Sequence, residues 1–109
     1  MFDKKDIIIK KLNNIDNPII LELGVNRGRS SQIFFDHTIN KGGHLYSVDI
    51  RDCSNAITSP KWNFFQCNDL NINLILEKFP VIKKGIDLLF IDSYHEPNHV
   101  KTLLNIWYY

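Results

Sequence analysis

Four carboxylates stand where an apolar run gives out: Glu22 near the end of Ile19–Leu23, Asp49 after Leu45–Val48, Asp69 shortly after Trp62–Gln66, and Asp92 after Ile86–Ile91. The first lies in Ile19-Ile20-Leu21-Glu22-Leu23-Gly24-Val25-Asn26-Arg27-Gly28-Arg29-Ser30-Ser31, where Gly24 and Gly28 precede a helix-like segment. That pattern is a buried strand turning sharply into a helix, with backbone bare enough for a small molecule to approach. A side chain at either glycine would fill the space such a ligand needs.

The loop does not suit every nucleotide. A dinucleotide fingerprint requires Gly-x-Gly-x-x-Gly, and counting from Gly24 the other two glycine places hold Asn26 and Arg29. A phosphate-cradling Gly-x-x-x-x-Gly-Lys-Ser/Thr loop is absent too. Glu22 adds negative charge beside the loop, which disfavours a pyrophosphate and favours an amino or sulfonium group. Asp49, closing the next apolar run, is placed to accept both hydroxyls of a ribose. Asn68-Asp69 would meet the edge of an adenine, although Asp69 has a second reading as a helix N-cap. Adenosine, no phosphate and a cationic centre together describe S-adenosylmethionine.

The elements that must hold these residues alternate. Residues 3–14 read as a short helix with Ile8, Ile9 and Leu12 on one side, broken at Asn14 to Pro18. Ile19–Leu23 is the first strand. Ser30 or Ser31 would cap a helix running to about Asn40, which Lys41-Gly42-Gly43 stops. Leu45–Asp49 is the second strand, and the polar stretch Arg51 to Pro60 has room for a short helix. Trp62–Gln66 is the third strand. From Asp69, Leu70, Leu74, Ile75 and Phe79 fall at near-helical spacing until Pro80. Ile86–Ile91 is apolar almost throughout, as a central parallel strand buried on both faces would be. After Pro97, Val100, Leu103, Leu104 and Trp107 lie at i, i+3, i+4 and i+7 of a final amphipathic helix. Such alternation specifies a parallel sheet with helices on both faces, whose carboxyl edge binds ligands.

At this point the residues resemble a family. Leu21-Glu22-Leu23-Gly24-Val25-Asn26-Arg27-Gly28-Arg29-Ser30 resembles the first motif of class I S-adenosylmethionine-dependent methyltransferases. Ile86-Asp87-Leu88-Leu89-Phe90-Ile91-Asp92-Ser93-Tyr94-His95 is similar to the fourth-strand signature of the methyltransferase 24-like branch, which ends Asp-x-x-His. The resemblance covers roughly residues 18–109. It implies an α/β fold, a Rossmann-like doubly wound parallel sheet of about four strands in the order 3-2-1-4.

The resemblance also implies roles. Gly24 and Gly28, with Leu23, Asn26 and Ser30 along the same motif, would wrap the methionine part of S-adenosylmethionine, Glu22 lying near its amino group. Asp49 would hold the ribose, Asp69 the adenine amino group, and backbone near Ile50 and Asn68 would flank the ring. Asp92 would face the methyl-donor centre. Transfer to an oxygen of a small molecule needs a base, for which His95 is the best-placed histidine; its other reading is a loop residue packed beneath the last helix. Some members hold a divalent metal such as magnesium with carboxylates, and Asp92 would be one ligand. Pro97 and Asn98 depart from the aromatic-plus-acid pair that commonly follows Asp-x-x-His.

Residues 1–17 are then a lead-in helix and 18–109 the cofactor-binding units of one partial domain, because members of the family continue with further strands. The expectation is a piece of a longer protein, or a sheet edge covered by a partner chain or second copy. A non-catalytic cofactor-binding remnant is the alternative function. An NAD-binding protein and a zinc hydrolase come further behind. His95-Glu96-Pro97-Asn98-His99 fits His-Glu-x-x-His, but Pro97 starts a helix there and leaves His95 outside it.

Composition bounds the rest. At 109 residues the chain holds one domain at most, with 44% hydrophobic residues for its core. A net charge of +1 makes no case for nucleic acid or a membrane surface, and the Lys4-Lys5, Lys10-Lys11 and Lys83-Lys84 pairs read as solvated helix ends and loops. Cys53 and Cys67 are far apart and read as reduced thiols, so a cytoplasmic location is expected, with neither leader nor membrane span.

Overall fold

The computed structural model describes residues 15–25 and 28–91. Within them the strands β1 (Ile19–Leu23), β2 (His44–Asp49), β3 (Trp62–Gln66) and β4 (Leu88–Ile91) form one sheet in the order β3-β2-β1-β4. All three pairings are parallel, with Glu22 opposite Ser47 on one side of β1 and opposite Phe90 on the other. Helix α1 (Arg29–Lys41) joins β1 to β2. Helix α2 (Ile72–Lys78) and a 3-10 turn (Pro80–Lys84) join β3 to β4. This is the doubly wound, Rossmann-like order that the motifs imply.

Period-two alternation along the strands divides the apolar residues between two cores. Ile20, Leu45 and Trp62 pack with Phe34 and Phe35 of α1 on one face. Leu21, Leu23 and Val48 pack with Ile75 of α2, Phe79 and Ile82 on the other. Phe34 also meets Phe90 edge-on at a centroid distance of 4.9 Å, tying α1 to β4. Each fully buried Leu, Ile or Phe contributes about 1.5–3 kcal/mol. Four of the five β1 residues are buried, so the central strand is the best-anchored element.

Several boundaries differ from the expected ones. Strand β2 begins a residue earlier, at His44, and α1 runs from Arg29 to Lys41. Residues 50–61 form turns and bends without a helix. Asp52 Oδ1 there accepts from both the Ser54 N–H (3.0 Å) and the Ser54 hydroxyl (2.6 Å), a local bond that competes with helix formation. Ile57 still reaches the first core. Helix α2 starts at Ile72, three residues after Asp69, because Asn71 is its cap. Strand β4 begins at Leu88 and its residues are half-buried, not enclosed on both faces. Asp87 instead clamps β1: its carboxylate accepts from the Ile19 N–H at 2.8 Å, while its own N–H donates to the Ile19 carbonyl at 2.8 Å.

The expected helices at 3–14 and after Pro97 lie outside the described residues. Among the described residues no helix is long and apolar enough to cross a membrane.

Candidate functional site

The turn after β1 is built on glycine. Gly24 has φ 104° and its N–H donates to the Val48 carbonyl at 2.7 Å, extending the strand pairing by one step. Gly28 has φ 83° and donates to the Val25 carbonyl at 2.9 Å, closing the loop. Its own carbonyl then accepts from Gln32 N–H at 2.9 Å and begins α1. Both values of φ lie where an L side chain is strained. At Gly28 space is short as well, since a Cβ would sit 3.1 Å from the Ala56 Cβ.

Gly28 is thus the N-cap of α1, and no side chain caps the helix. The expected capping by Ser31 is overturned for a physical reason. Ser31 sits one turn too far into the helix, and its hydroxyl donates instead to Glu22 Oε1 at 2.5 Å. The same oxygen accepts from the Ser47 hydroxyl at 2.9 Å, and Ser47 Oγ in turn accepts from the Trp62 indole N–H at 2.9 Å. Glu22, Ser31 and Ser47 are wholly buried and Trp62 nearly so. A carboxylate in such a place is tolerated only when hydrogen-bonded. Register explains the cluster: Glu22 pairs with Ser47, and Trp62 lies opposite Leu45, on the same face one step down the neighbouring strand.

Asp49 closes β2 and is only 7% exposed. Its Oδ2 accepts from the Val25 N–H and its Oδ1 from the Arg51 N–H, both at 2.9 Å. The Arg51 guanidinium stands 3.7 Å from Oδ1. The acid therefore also ties the glycine loop to the end of β2. Beside it, the Cys53 thiol is pushed above its ordinary pKa, first by burial and then by the charge and hydrogen bond of Asp49. Ile50 follows Asp49 and is 67% exposed, an apolar surface at the sheet's carboxyl edge.

Strand β3 brings the remaining residues to that edge. Cys67 N–H donates to the Asp49 carbonyl at 2.9 Å, and Asn68 Oδ1 accepts from the Leu70 N–H at 2.9 Å. Burial raises the Cys67 thiol too. Asp69 is buried, and with Asn71 accepting from the Leu74 N–H as the cap of α2, the capping role falls to Asn71 and not to Asp69.

The structure therefore gathers Glu22, Gly24, Gly28 and Asp49 about one loop, with Ile50, Asn68 and Asp69 along the same edge. Leu23 differs: its side chain is buried in the second core, so only its backbone faces the loop. Asn26, the Ser30 side chain, Asp92 and His95 lie outside the described residues, as does His-Glu-x-x-His. Among the described residues no group of three or more His, Cys, Asp or Glu is placed to hold a metal ion. Sequence reasoning assigned no site role to Val25, Ser47 and Trp62, and it offered Ser31 only as a helix cap. The one signal for them is Ser47, a polar residue on an otherwise apolar strand interior.

A family profile described as a methyltransferase domain matches residues 21–108. Curated proteins yield no sequence match. Among solved structures the chain is similar to the MycE methyltransferase of the mycinamycin biosynthetic pathway, determined in complex with Mg, SAH and mycinamycin VI. The TM-score is 0.67 at 22% identity, a likeness of fold, over 94% of this chain and 29% of that one. The chain thus spans under a third of that protein's length.

Proposed function

The chain belongs to the methyltransferase-domain family, and from that premise we propose that it binds S-adenosylmethionine at the carboxyl edge of β1, β2 and β3. The observation that carries this reading is the pair of buried acids bracketing the glycine loop, Glu22 beneath it and Asp49 bonded to its Val25 N–H. Their charge suits a cationic amino acid with a ribose and opposes a pyrophosphate. The fit extends outward: Gly24 and Gly28 keep the loop bare, Ile50 offers an exposed apolar face for a flat ring, and Asn68 and Asp69 stand where an adenine edge would lie. The SAH held by MycE supports the same cofactor class.

When bound, S-adenosylmethionine supplies a methyl group activated on a sulfonium. The chain's own residues then hold and orient. Glu22 attracts the ammonium of the methionine part, Asp49 accepts from the ribose hydroxyls, and Asp69 accepts from the adenine amino group. The proposed acceptor is an oxygen of a small molecule, a class in keeping with the mycinamycin bound to MycE. From the sequence motif alone, His95 would take the acceptor proton and Asp92 would face the methyl-donor centre, since positioning and proton removal are what such a displacement requires. Cys53 and Cys67, neither of them in a disulfide, suit a reducing cytoplasm.

Isothermal calorimetry with S-adenosylmethionine, its demethylated product and NAD tests the reading. Micromolar binding of the first two is expected. Absence of both from folded protein, or preference for NAD, would overturn it. Binding without turnover on hydroxylated acceptors would leave a cofactor-binding module without catalysis.

A further inference from the structure

The hydrogen bonds around Glu22 have a direction fixed by chemistry, not by where hydrogens are drawn. An indole N–H can only donate. Ser47 Oγ therefore must accept from Trp62 Nε1, at 2.9 Å. With that lone pair engaged, the single hydroxyl proton of Ser47 is directed at the other neighbour, Glu22 Oε1, 2.9 Å away. Ser31 delivers a second proton to the same oxygen at 2.5 Å, the short length of a charge-assisted bond. The assembly spans β3, β2, β1 and α1, and Glu22, Ser31 and Ser47 are all 0% exposed. Ile20, Phe34 and Leu45 of the first core lie on the same side of the sheet.

We propose that Ser47, oriented by Trp62 and seconded by Ser31, is a positioning residue that fixes the Glu22 carboxylate in the direction from which it receives the cofactor's ammonium group. The inference rests on S-adenosylmethionine as the ligand. It adds that recognition of the amino acid part reaches back into the core, to residues that never touch it. Among Ser31, Ser47 and Trp62, Ser47 matters most, because it accepts from Trp62 and donates to Glu22. Trp62 does not simply fill the core: its N–H is aimed at Ser47, and an apolar ring of similar size would leave the serine proton free to turn.

The test measures S-adenosylmethionine affinity by calorimetry for the wild-type chain, Ser47→Ala, Ser47→Thr and Trp62→Phe, each shown folded by circular dichroism. Losing one bond to a charged group should weaken binding about tenfold in Ser47→Ala. Ser47→Thr, which keeps the hydroxyl, should recover most of that, and Trp62→Phe should lose about threefold. The second measurement needs no variant to fold well. In the wild-type spectrum the Trp62 indole N–H resonance, identified by its absence from Trp62→Phe, should shift when S-adenosylmethionine is added. A purely structural role predicts lower melting temperatures with unchanged affinity and an unmoved indole signal, and that result overturns the proposal. Wild-type protein that binds no S-adenosylmethionine overturns the cofactor reading itself, and the two failures are thereby told apart.

Discussion

Asp49 carries two duties that a substitution can separate. Replacing it with alanine removes the acceptor for the buried Val25 N–H as well as the proposed ribose contact. An unsatisfied buried donor costs about 1–3 kcal/mol, so Asp49→Ala should lower the urea midpoint and weaken S-adenosylmethionine binding more than tenfold. Asp49→Asn keeps one oxygen for Val25 but turns its amide nitrogen, a donor, toward the Arg51 N–H, so it should regain only part of the stability while remaining a poor binder, because the charge is gone. Equal affinity of Asp49→Asn and wild type in calorimetry would refute the ribose assignment. At this scale the acids were legible in the sequence, because each stands at or near the end of an apolar run. Their supports were not. Ser47 and Trp62 acquire meaning only from the register that sets Glu22 beside Ser47, and register across parallel strands is decided by the packing of distant segments.

Helix α1 starts on a left-handed glycine with no side-chain cap, so its first turn depends on the loop keeping its shape. Gly28→Ala meets two penalties, the positive φ and the Ala56 Cβ at 3.1 Å. The backbone penalty alone is about 1–2 kcal/mol. Thermal melts should show Gly28→Ala destabilised and the double variant Gly28→Ala/Ala56→Gly only partly restored, since the second change relieves contact but not φ. Full restoration would mean that the conformation carries no strain. The elements themselves were mostly readable: β1 and β3 have the boundaries their apolar runs and flanking breakers imply. The turn region at 50–61 was not, because Asp52 and Ser54 bond locally instead of propagating a helix. The late start of β4 has a similar cause, Asp87 being spent on the Ile19 N–H.

For the molecule as a whole, three weak acids among the described residues are perturbed in the same sense. Burial raises the pKa values of Cys53, Cys67 and Tyr46, each a neutral acid that the folded state keeps protonated. Below the ordinary thiol pKa their protonation is the same folded or unfolded, and nothing is lost. Above about pH 9 the unfolded chain sheds protons that the folded chain retains, and stability falls as pH rises through that window. Urea midpoints should therefore hold between pH 7 and 8 and decline toward pH 10, and Cys53→Ser with Cys67→Ser should blunt the early part of the fall. A midpoint flat to pH 10 would contradict this. The doubly wound order was legible from alternating elements alone, yet it has a temporal side. β1 pairs with β2 on one edge, but its other edge waits for β4, with Ile19 bonded to Asp87 across 68 positions of chain. During synthesis or refolding the most deeply buried strand therefore stands half-clothed until the last described strand arrives. Contacts of such long range close slowly and leave sticky intermediates. How well this protein can be made is thus governed by the interval between two strands, not by the strength of either.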